Sequence, residues 1–249
     1  MESIKKRIKR KIFNKYFREY KKAGHNNNYS DFTKEELGII ERVNPYTMTT
    51  PERIVSLTRS ISYIDINNIE GSIVECGVWK GGSIMAALLA LESKNRNIYL
   101  YDTFEGMSEP TEEDKSYRNE SAQSAYLNKD EYWKRIECFS ALEEVKENVS
   151  SIGYPKDKIN FIQGKVEDTI PKNIPDKIAL LRLDTDWYES TMHEMIHLFP
   201  RLVKGGVIII DDYGHWKGCK KAVDEYISKN NIQLLLNRID YTGRVGVKL

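Results

Sequence analysis

Residues 72–102, SIVECGVWKGGSIMAALLALESKNRNIYLYD, decide the fold of this 249-residue chain. The apolar run at 73–76 predicts a short buried strand, and three glycines between residues 77 and 82 predict a turn after it. The Ala- and Leu-rich run at 83–91 predicts a helix, and residues 97–102 predict a second strand. Parallel strands joined through a helix form a βαβ unit, whose crossover is right-handed.

Later apolar runs extend this pattern. Strands are predicted at 159–162, 178–183 and 207–210, with helices at about 140–152, 189–202 and 217–229 between them. The runs 232–236 and 244–248, joined by Tyr241-Thr242-Gly243, predict a terminal hairpin. Helices that alternate with near-continuous apolar strands are typical of a parallel sheet covered on both faces. We therefore predict an α/β fold with a mostly parallel seven-stranded sheet and an antiparallel C-terminal hairpin.

The chain divides into three predicted parts. Residues 1–28 form a basic amphipathic helix and a linker, because apolar side chains recur every three or four positions between basic residues. Residues 29–70 form a helical N-terminal cap, in which Asp31 or Thr33 begins one helix and Thr50 the next. Residues 71–249 form the α/β domain. Its acidic, aromatic-containing insertion at about 105–137 is longer than a crossover requires and predicts a lid.

The formal net charge of +1 hides an asymmetry. Residues 1–22 carry ten basic and two acidic side chains, so the other 227 residues sum to −7. The three cysteines lack the spacing of a disulfide framework or a zinc site, which indicates a cytoplasmic protein. No apolar run reaches the roughly 20 residues of a membrane span, and no secretory signal follows the basic start.

Two interpretations of the basic helix stay open. It packs on the body of the protein or on a second copy, or residues 1–22 dock on an anionic membrane surface. Docking would place the protein peripherally at the inner face of the membrane. Nucleic acid is not expected as a partner, because the body is acidic and carries no nucleic-acid-binding motif.

Acidic residues at the ends of the first two strands indicate a nucleoside ligand. The glycine turn lets backbone approach a ligand at the carboxyl end of the sheet. It is not G-x-G-x-x-G, so a pyrophosphate ligand is not indicated. Glu75 suits an amino-bearing or cationic group, and Asp102 is placed to accept both ribose hydroxyls. A purely structural glycine turn is the alternative.

Four more acids follow the next two predicted strands. Asp184 and Asp186 come after the strand at 178–183, and Asp211 and Asp212 end the strand after that. Because these strand ends converge at one sheet edge, the carboxylates cannot all ionise without a cation. Oxygen-only ligands favour Mg²⁺ or a similar hard metal. Helix capping by Asp186 and by Asp212 is the alternative.

The histidines give weaker signals. His193 and His197 lie four residues apart on one helix without a metal-binding frame, which favours packing. His215 follows Asp212 closely and is expected near the metal, within reach of a substrate. Cys76, within a strand, is interpreted as a small buried apolar residue.

Five motifs in chain order carry a resemblance to a known family. They are PYTMTTPER at 45–53, ECGVWKGGS at 75–83, YDTFEG at 101–106, LRLDTDWYEST at 181–191, and the run from GG at 205–206 to DDYG at 211–214. Together they resemble the macrocin O-methyltransferase (TylF/MycF/NovP-type) family over about residues 43–249, with residues 1–22 outside the match. The resemblance implies a class I methyltransferase fold, in which residues 71–249 form a Rossmann-like domain, with S-adenosylmethionine as co-substrate and Mg²⁺ as metal.

The resemblance also assigns residues to the co-substrate. Glu75, Gly77 and Ser83 would line its methionine side, with Thr47, Met48 and Thr49 closing on it. Asp102 would hold the ribose with Thr103 and Phe104 beside it, and residues from Gly164 to Glu167 would flank the adenine. On chemical grounds, and apart from the resemblance, Trp79, Phe104 and Tyr46 are candidates to contact the sulfonium by cation–π attraction.

The resemblance places the metal and the reaction at the acid cluster. Asp184, Asp211 and Asp212 would hold the metal, and Asp184 or Asp186 would accept the proton. Members of the family methylate sugar hydroxyls on antibiotic scaffolds. The expected function is therefore O-methylation of a sugar or polyol hydroxyl on a glycosylated small molecule or glycan, by a homo-oligomer.

Two alternatives to this function stay open. A metal-dependent catechol-type O-methyltransferase would use the same strand-end acids. A binding module would dock its basic helix on a membrane and sense a nucleotide with its core. The acid cluster argues against the module, because a pure binder has no use for it.

Overall fold

The computed structural model describes residues 29–249, apart from the side chain of Arg135. Its sheet has the order β3-β2-β1-β4-β5-β7-β6, in which β7 is antiparallel to β5 and β6 and the other neighbours are parallel. The strands are β1 (Ser72–Cys76), β2 (Ile98–Asp102), β3 (Ile159–Gln163), β4 (Ile178–Leu183), β5 (Leu202–Ile210), β6 (Asn237–Arg238) and β7 (Arg244–Val247). The predicted mostly parallel seven-stranded sheet with an antiparallel C-terminal hairpin is confirmed.

Nine α-helices accompany this sheet within the described residues. They are α1 (Lys34–Val43), α2 (Pro51–Ile66), α3 (Gly82–Ala90), α4 (Ala122–Asn128), α5 (Trp133–Ile136), α6 (Leu142–Ser150), α7 (Val166–Thr169), α8 (Tyr188–His197) and α9 (Lys217–Lys229). Three short 3₁₀ turns lie at Asn44–Tyr46, Lys156–Lys158 and Phe199–Arg201. Helix α9 has the predicted bounds.

The core consists of one hydrophobic cluster on each face of the sheet. Successive residues of a strand point to opposite faces, so Ile73 joins the cluster under α1, α2, α3 and α6, whereas Val74 joins the cluster under α8 and α9. The helices of residues 34–66 therefore share one core with the sheet. Cys76 is buried in the second cluster, as interpreted from the sequence.

The N-terminal helices begin at residues that the sequence indicates. Thr33 accepts a hydrogen bond from the Glu36 N–H, and the Glu36 carboxylate accepts one from the Thr33 N–H, which forms a capping box at α1. Thr50 caps α2 ahead of Pro51. Of the two candidates for the first cap, Thr33 rather than Asp31 is therefore the one used.

Two predicted boundaries are wrong near the C-terminus. Residues 232–236 form no strand: the side chains of Ile232, Leu234 and Leu236 pack against the second cluster, and ladder pairing with β7 begins only at Asn237. The helix predicted to reach residue 202 ends at His197. Pro200 disfavours helical backbone at the residue before it, and β5 starts directly after this turn.

Predictions for the basic N-terminal helix lie outside the described residues. These are its amphipathic form, its packing on the body or on a second copy, and its docking on an anionic membrane, and they stay predictions. Among residues 29–249, no helix is long and apolar enough to cross a membrane.

Truncation of one side chain tests whether α2 belongs to the main core. Ile61 is fully buried, so we expect Ile61→Ala to lower the free energy of unfolding by about 3 kcal/mol, measured by urea denaturation. Ile66 on the same helix is 73% exposed, and Ile66→Ala is the matched control with almost no effect. Equal stabilities of the two variants would contradict the shared core.

Candidate active site

The carboxyl ends of β1 and β4 are in backbone contact at the glycine turn. The Asp184 N–H donates to the Cys76 carbonyl, and the Gly77 N–H donates to the Tyr101 carbonyl. Gly77 has a φ of +81°, and a Cβ there would lie 2.0 Å from the Asp184 carbonyl oxygen. Glycine is therefore required for this close approach, which brings the first predicted motif against the acid motif.

Asp102 fixes the turn to the end of β2. Its Oδ2 accepts hydrogen bonds from the N–H groups of Val78 and Trp79 at 2.7 and 3.0 Å, and its Oδ1 accepts one from Phe104 at 2.7 Å. The carboxylate faces the same cavity as the turn. Oδ2 already accepts two bonds, one for each lone pair, so the capacity to accept from a ligand hydroxyl lies with Oδ1.

A buried arginine on β4 lies at the centre of the site. Arg182 is 3% exposed, and its Nη1 lies 2.6 Å from Glu75 Oε1 and 2.8 Å from Asp184 Oδ2. Its Nη2 donates to Asp211 Oδ1 at 2.7 Å. Arg182 was missed as a site residue, although its being the only charged residue in the apolar strand IALLRL is a signal in the sequence.

A second arginine connects α2 and the segment before the terminal hairpin turn to Asp211. Arg53 on α2 donates to Asp211 Oδ2, and its Nε lies 3.1 Å from an oxygen of Asp240, before the terminal hairpin turn. Thr50 donates to the same Asp240 at 2.9 Å. Nothing in the sequence links residues so far apart, and Arg53 and Asp240 were missed.

Asp184, Asp211 and Asp212 converge as predicted. One carboxylate oxygen of each lies within 4.8 Å of the others. Burial and neighbouring carboxylates raise the pKa of Asp184 and of Asp212 well above the usual range. Burial also acts on Asp211, but Arg182 and Arg53 outweigh it and lower the pKa of Asp211.

These residues fit a hard divalent cation. The buried Asp212 Oδ2 has no hydrogen-bond partner among the described residues, which is costly unless a further charge or donor meets it. The donor set consists of carboxylate oxygens alone, the ligands that Mg²⁺ prefers. The alternative of helix capping is wrong, because Trp187 and Trp216 occupy the N-cap positions of α8 and α9, with no side-chain cap bond.

Asp186 lies beside the cluster on the same loop. Its φ of +67° is rare outside glycine, asparagine and aspartate, and it lets the loop turn before α8. Burial raises the pKa of Asp186 to about 7, with Asp184 and Asp211 adding to the effect. Thr185 anchors the loop to α8, because its hydroxyl donates to the buried Glu194 at 3.0 Å.

Most of the predicted site residues line one cavity of about 310 Å³. The predicted residues that line it are Thr47, Met48, Thr49, Gly77, Trp79, Ser83, Asp102, Asp184, Asp186, Asp211 and Asp212. Thr49 and Ser83 hydroxyls lie 3.4 Å apart, so residues 47–49 lie against the start of α3. His215 also lines this cavity, as expected.

A smaller cavity of about 60 Å³ adjoins the first one. Thr103, Gly164 and Glu167 line it, and it shares Gly77 and Asp102 with the larger cavity. This is the side on which the adenine was expected, and those assignments stay predictions.

Glu75 and Phe104 line neither cavity. The Glu75 side chain is buried against Arg182, and burial raises its pKa to about 7. Phe104 is buried beside Phe161, with ring centroids 6.4 Å apart. Their contacts with a co-substrate stay predictions. His193 and His197 lie outside both cavities with ring centroids 4.4 Å apart, which agrees with packing.

Asp114, a buried acid in the insertion, connects the insertion to the starts of α8 and α9. Asp114 accepts hydrogen bonds from the Thr111 N–H at 2.7 Å and from the Tyr188 N–H, at the start of α8, at 2.8 Å. A Cβ at Gly218 would lie 2.1 Å from Asp114 Oδ1, so only glycine permits this approach of α9. The Trp187 indole N–H also donates to the Ser108 carbonyl at 3.0 Å. The predicted lid is thus hydrogen-bonded to the start of α8 and packed against the start of α9.

The attachment predicts a large cost for losing Asp114. Asp114→Ala would leave the Thr111 and Tyr188 donors buried without an acceptor, and we expect it to lower the free energy of unfolding by about 3 kcal/mol. Asp130 in the same insertion is exposed and accepts one bond from the Trp133 N–H, so Asp130→Ala is the control, with a loss of about 1 kcal/mol. Urea denaturation measures both, and similar losses would contradict the role of Asp114.

The raised pKa of Asp186 predicts a dependence of stability on pH. Unfolded aspartate titrates near pH 4, so between about pH 4 and pH 7 the native state binds the extra proton. The stability that this protonation contributes is therefore full at low pH and lost as pH rises through about 7. With chelator present, wild type should lose more stability than Asp186→Asn between about pH 5 and pH 8.

Urea denaturation across this range measures the effect on stability. The exposed Asp157→Asn serves as control and should follow wild type. Identical pH profiles of wild type and Asp186→Asn would show that Asp186 is not protonated in the native state.

Comparisons with known proteins agree with this geometry. A family model of macrocin-O-methyltransferases (TylF) matches residues 1–246, which include the basic stretch 1–22 that the motif resemblance left outside. Mycinamicin III 3''-O-methyltransferase of Micromonospora griseorubida is 31% identical over 201 residues, covering 80% of this chain and 76% of that protein.

Two further relatives extend the match. Demethyldecarbamoylnovobiocin O-methyltransferase of Streptomyces niveus is 31% identical over 233 residues, covering 90% of this chain and 86% of that protein. The solved structure of the O-methyltransferase NovP superposes with a TM-score of 0.70 at 30% identity, covering 82% of each chain. The chain therefore belongs to the macrocin O-methyltransferase family and is an O-methyltransferase with the class I methyltransferase fold.

Proposed function

We propose that the protein transfers a methyl group from S-adenosylmethionine to a hydroxyl of a sugar on a glycosylated natural product or glycan, with Mg²⁺ at the acid cluster. The observation that carries this proposal is the shared cavity. The glycine turn and Asp102 line one side of it, and Asp184, Asp186, Asp211 and Asp212 line the other. A methyl donor on the first side would therefore face a hydroxyl held on the second.

The turn and its surroundings would position the donor. Gly77 lines the cavity, and Asp102 is held beside the turn by three backbone N–H groups. Residues 47–49 lie across the start of α3, where they would cover the methionine end. Alignment of the hydroxyl oxygen, the methyl carbon and the sulfur is the main contribution of the protein to such a transfer.

Asp184, Asp211 and Asp212 would hold the metal. When bound, a divalent cation there supplies positive charge that lowers the pKa of a neighbouring hydroxyl. Asp212 offers an oxygen without a protein partner among the described residues, whereas both oxygens of Asp211 already meet arginines. The two arginines fix the position of Asp211 at the far side of the cluster.

The proton of the acceptor hydroxyl would pass to Asp184 or Asp186. Both line the cavity, and the raised pKa of about 7 at Asp186 suits a group that gains and loses a proton near neutral pH. A sugar hydroxyl is far less acidic than either carboxylic acid, so a positioned acceptor for its proton is needed as the bond to carbon forms.

The names of the relatives support a glycosylated acceptor. One relative is a 3''-O-methyltransferase of mycinamicin III. Another, from Streptomyces olivaceus, acts at the 4'-oxygen of a tetracenomycin that carries a dimethoxy-α-L-rhamnosyl group, and it is 32% identical over 201 residues. We therefore propose a sugar hydroxyl, rather than a catechol, as the site of transfer.

Charge-neutral variants of the acid cluster test the reaction. Asp184→Asn and Asp212→Asn should each lower methyl transfer at least about a hundredfold and weaken Mg²⁺ binding, because each loses a carboxylate at the reacting hydroxyl. Binding of S-adenosylhomocysteine, measured by calorimetry, should be unchanged. The exposed Asp157→Asn is the control.

Transfer is measured by mass spectrometry as the gain of one methylene by panels of glycosides and of catechols. Methylation of catechols alone would overturn the sugar acceptor, and full activity in EDTA would overturn the metal.

A further inference from the structure

We propose that three aromatic rings at the mouth of the large cavity bind the sugar ring of the acceptor, and that this sugar carries no charge. The rings are those of Tyr117, His215 and Tyr241. This inference rests on the proposed function and deepens it. We call these three residues the mouth cluster. None of them belongs to the motifs assigned to the co-substrate or the metal.

The mouth cluster is assembled from three distant parts of the chain. Tyr117 comes from the insertion, His215 from the loop after β5, and Tyr241 from the turn of the terminal hairpin. Ring centroids lie 5.5 Å apart for Tyr117 and His215, and 6.0 Å apart both for Tyr117 and Tyr241 and for His215 and Tyr241. His215 and Tyr241 line the cavity that contains the acid cluster.

The two tyrosine rings are left open to solvent although they are large. Tyr117 is 49% exposed and Tyr241 is 51% exposed. Aromatic rings grouped beside a cavity that holds polar groups are typical of a ligand surface. A bound molecule that reached Asp184 from outside would cover them.

The cluster is held rigidly to the acid loops. A Cβ at Gly214 would lie 1.9 Å from the Tyr241 carbonyl oxygen, so the hairpin turn packs directly on the loop after β5. Thr242 donates to the Asp211 carbonyl at 2.7 Å. His215 packs on the buried Trp216 with ring centroids 4.9 Å apart, and its Nδ1 lies 3.2 Å from the Tyr241 hydroxyl. His215 and Tyr241 are therefore attached to the loop that carries Asp211 and Asp212.

Ring geometry favours a sugar over a flat acceptor. The interplanar angles of 62°, 66° and 69° give a corner with more than one ring plane, not a parallel-sided slot. A pyranose chair presents C–H groups, which carry partial positive charge and are attracted to ring faces, together with hydroxyls around its edge. The hydroxyl of Tyr241 and the ring nitrogens of His215 can bond to such hydroxyls.

The charge of the cavity favours an uncharged sugar. Five aspartates line it, and its arginine, Arg53, is already paired with Asp211 and Asp240. The charge of five carboxylates exceeds the combined positive charge of Arg53, one divalent cation and a sulfonium, so an acidic sugar placed against them would be repelled. At the mouth, the Arg118 guanidinium lies 5.2 Å from the Tyr117 ring centroid and stacks on that ring.

Ring removal tests the mouth cluster by direct binding. The probe is a panel of p-nitrophenyl glycosides of neutral hexoses and 6-deoxyhexoses, titrated by calorimetry into full-length enzyme loaded with Mg²⁺ and S-adenosylhomocysteine. Tyr117→Ala and Tyr241→Ala should each weaken glycoside binding about fivefold, the loss of one aromatic contact. Tyr117→Phe keeps the ring and should bind like wild type. Leu127→Ala, 67% exposed in the same insertion, is the control.

Affinity for S-adenosylhomocysteine, measured on each variant, shows that it is folded and should not change. Glycoside binding by Tyr117→Ala and Tyr241→Ala that equals wild type would overturn the mouth cluster and leave the sugar acceptor standing. A wild-type enzyme that binds S-adenosylhomocysteine but no glycoside would overturn the sugar acceptor, and the mouth cluster with it. If Tyr241→Ala does not fold, the half-exposed Tyr117→Ala decides the question.

Discussion

The structure depends on one buried charge, the Arg182 guanidinium near the carboxyl end of β4. A charge that is 3% exposed is tolerated only when carboxylates meet it closely. Glu75 on β1, Asp184 after β4 and Asp211 after β5 supply them within 2.8 Å. Three strands must therefore end in one register, and any slip would leave an uncompensated charge in the core.

The same constraint explains why the active site lies where it does. Arg182 and Arg53 satisfy Asp211, whereas Asp212 and Asp186 meet neither guanidinium among the described contacts and face the cavity. Negative charge in excess of the two arginines is thus concentrated at one edge of the sheet. Because Arg53 also reaches Asp240, helix α2 and the terminal hairpin both depend on this edge.

The sequence allowed the strands and their acids to be predicted because both are local signals. An apolar run such as 178–183 indicates a buried strand, and an acid directly after the run must lie at the end of that strand. Once the strands are parallel, Asp184, Asp211 and Asp212 converge without further information. The terminal strand at 232–236 was predicted wrongly because its apolar residues pack against the second hydrophobic cluster without pairing in the sheet.

By itself, the sequence determined the class of fold, the glycine turn, the acid cluster and the family. Only the tertiary structure decided that Glu75 pairs with Arg182, that Asp114 joins the insertion to α8, and that Tyr117, His215 and Tyr241 meet at the cavity. These contacts join residues from separate segments of the chain. No local pattern in the sequence identifies which distant side chain will be the partner. Close packing and the need to pair buried charge select those partners when the chain folds.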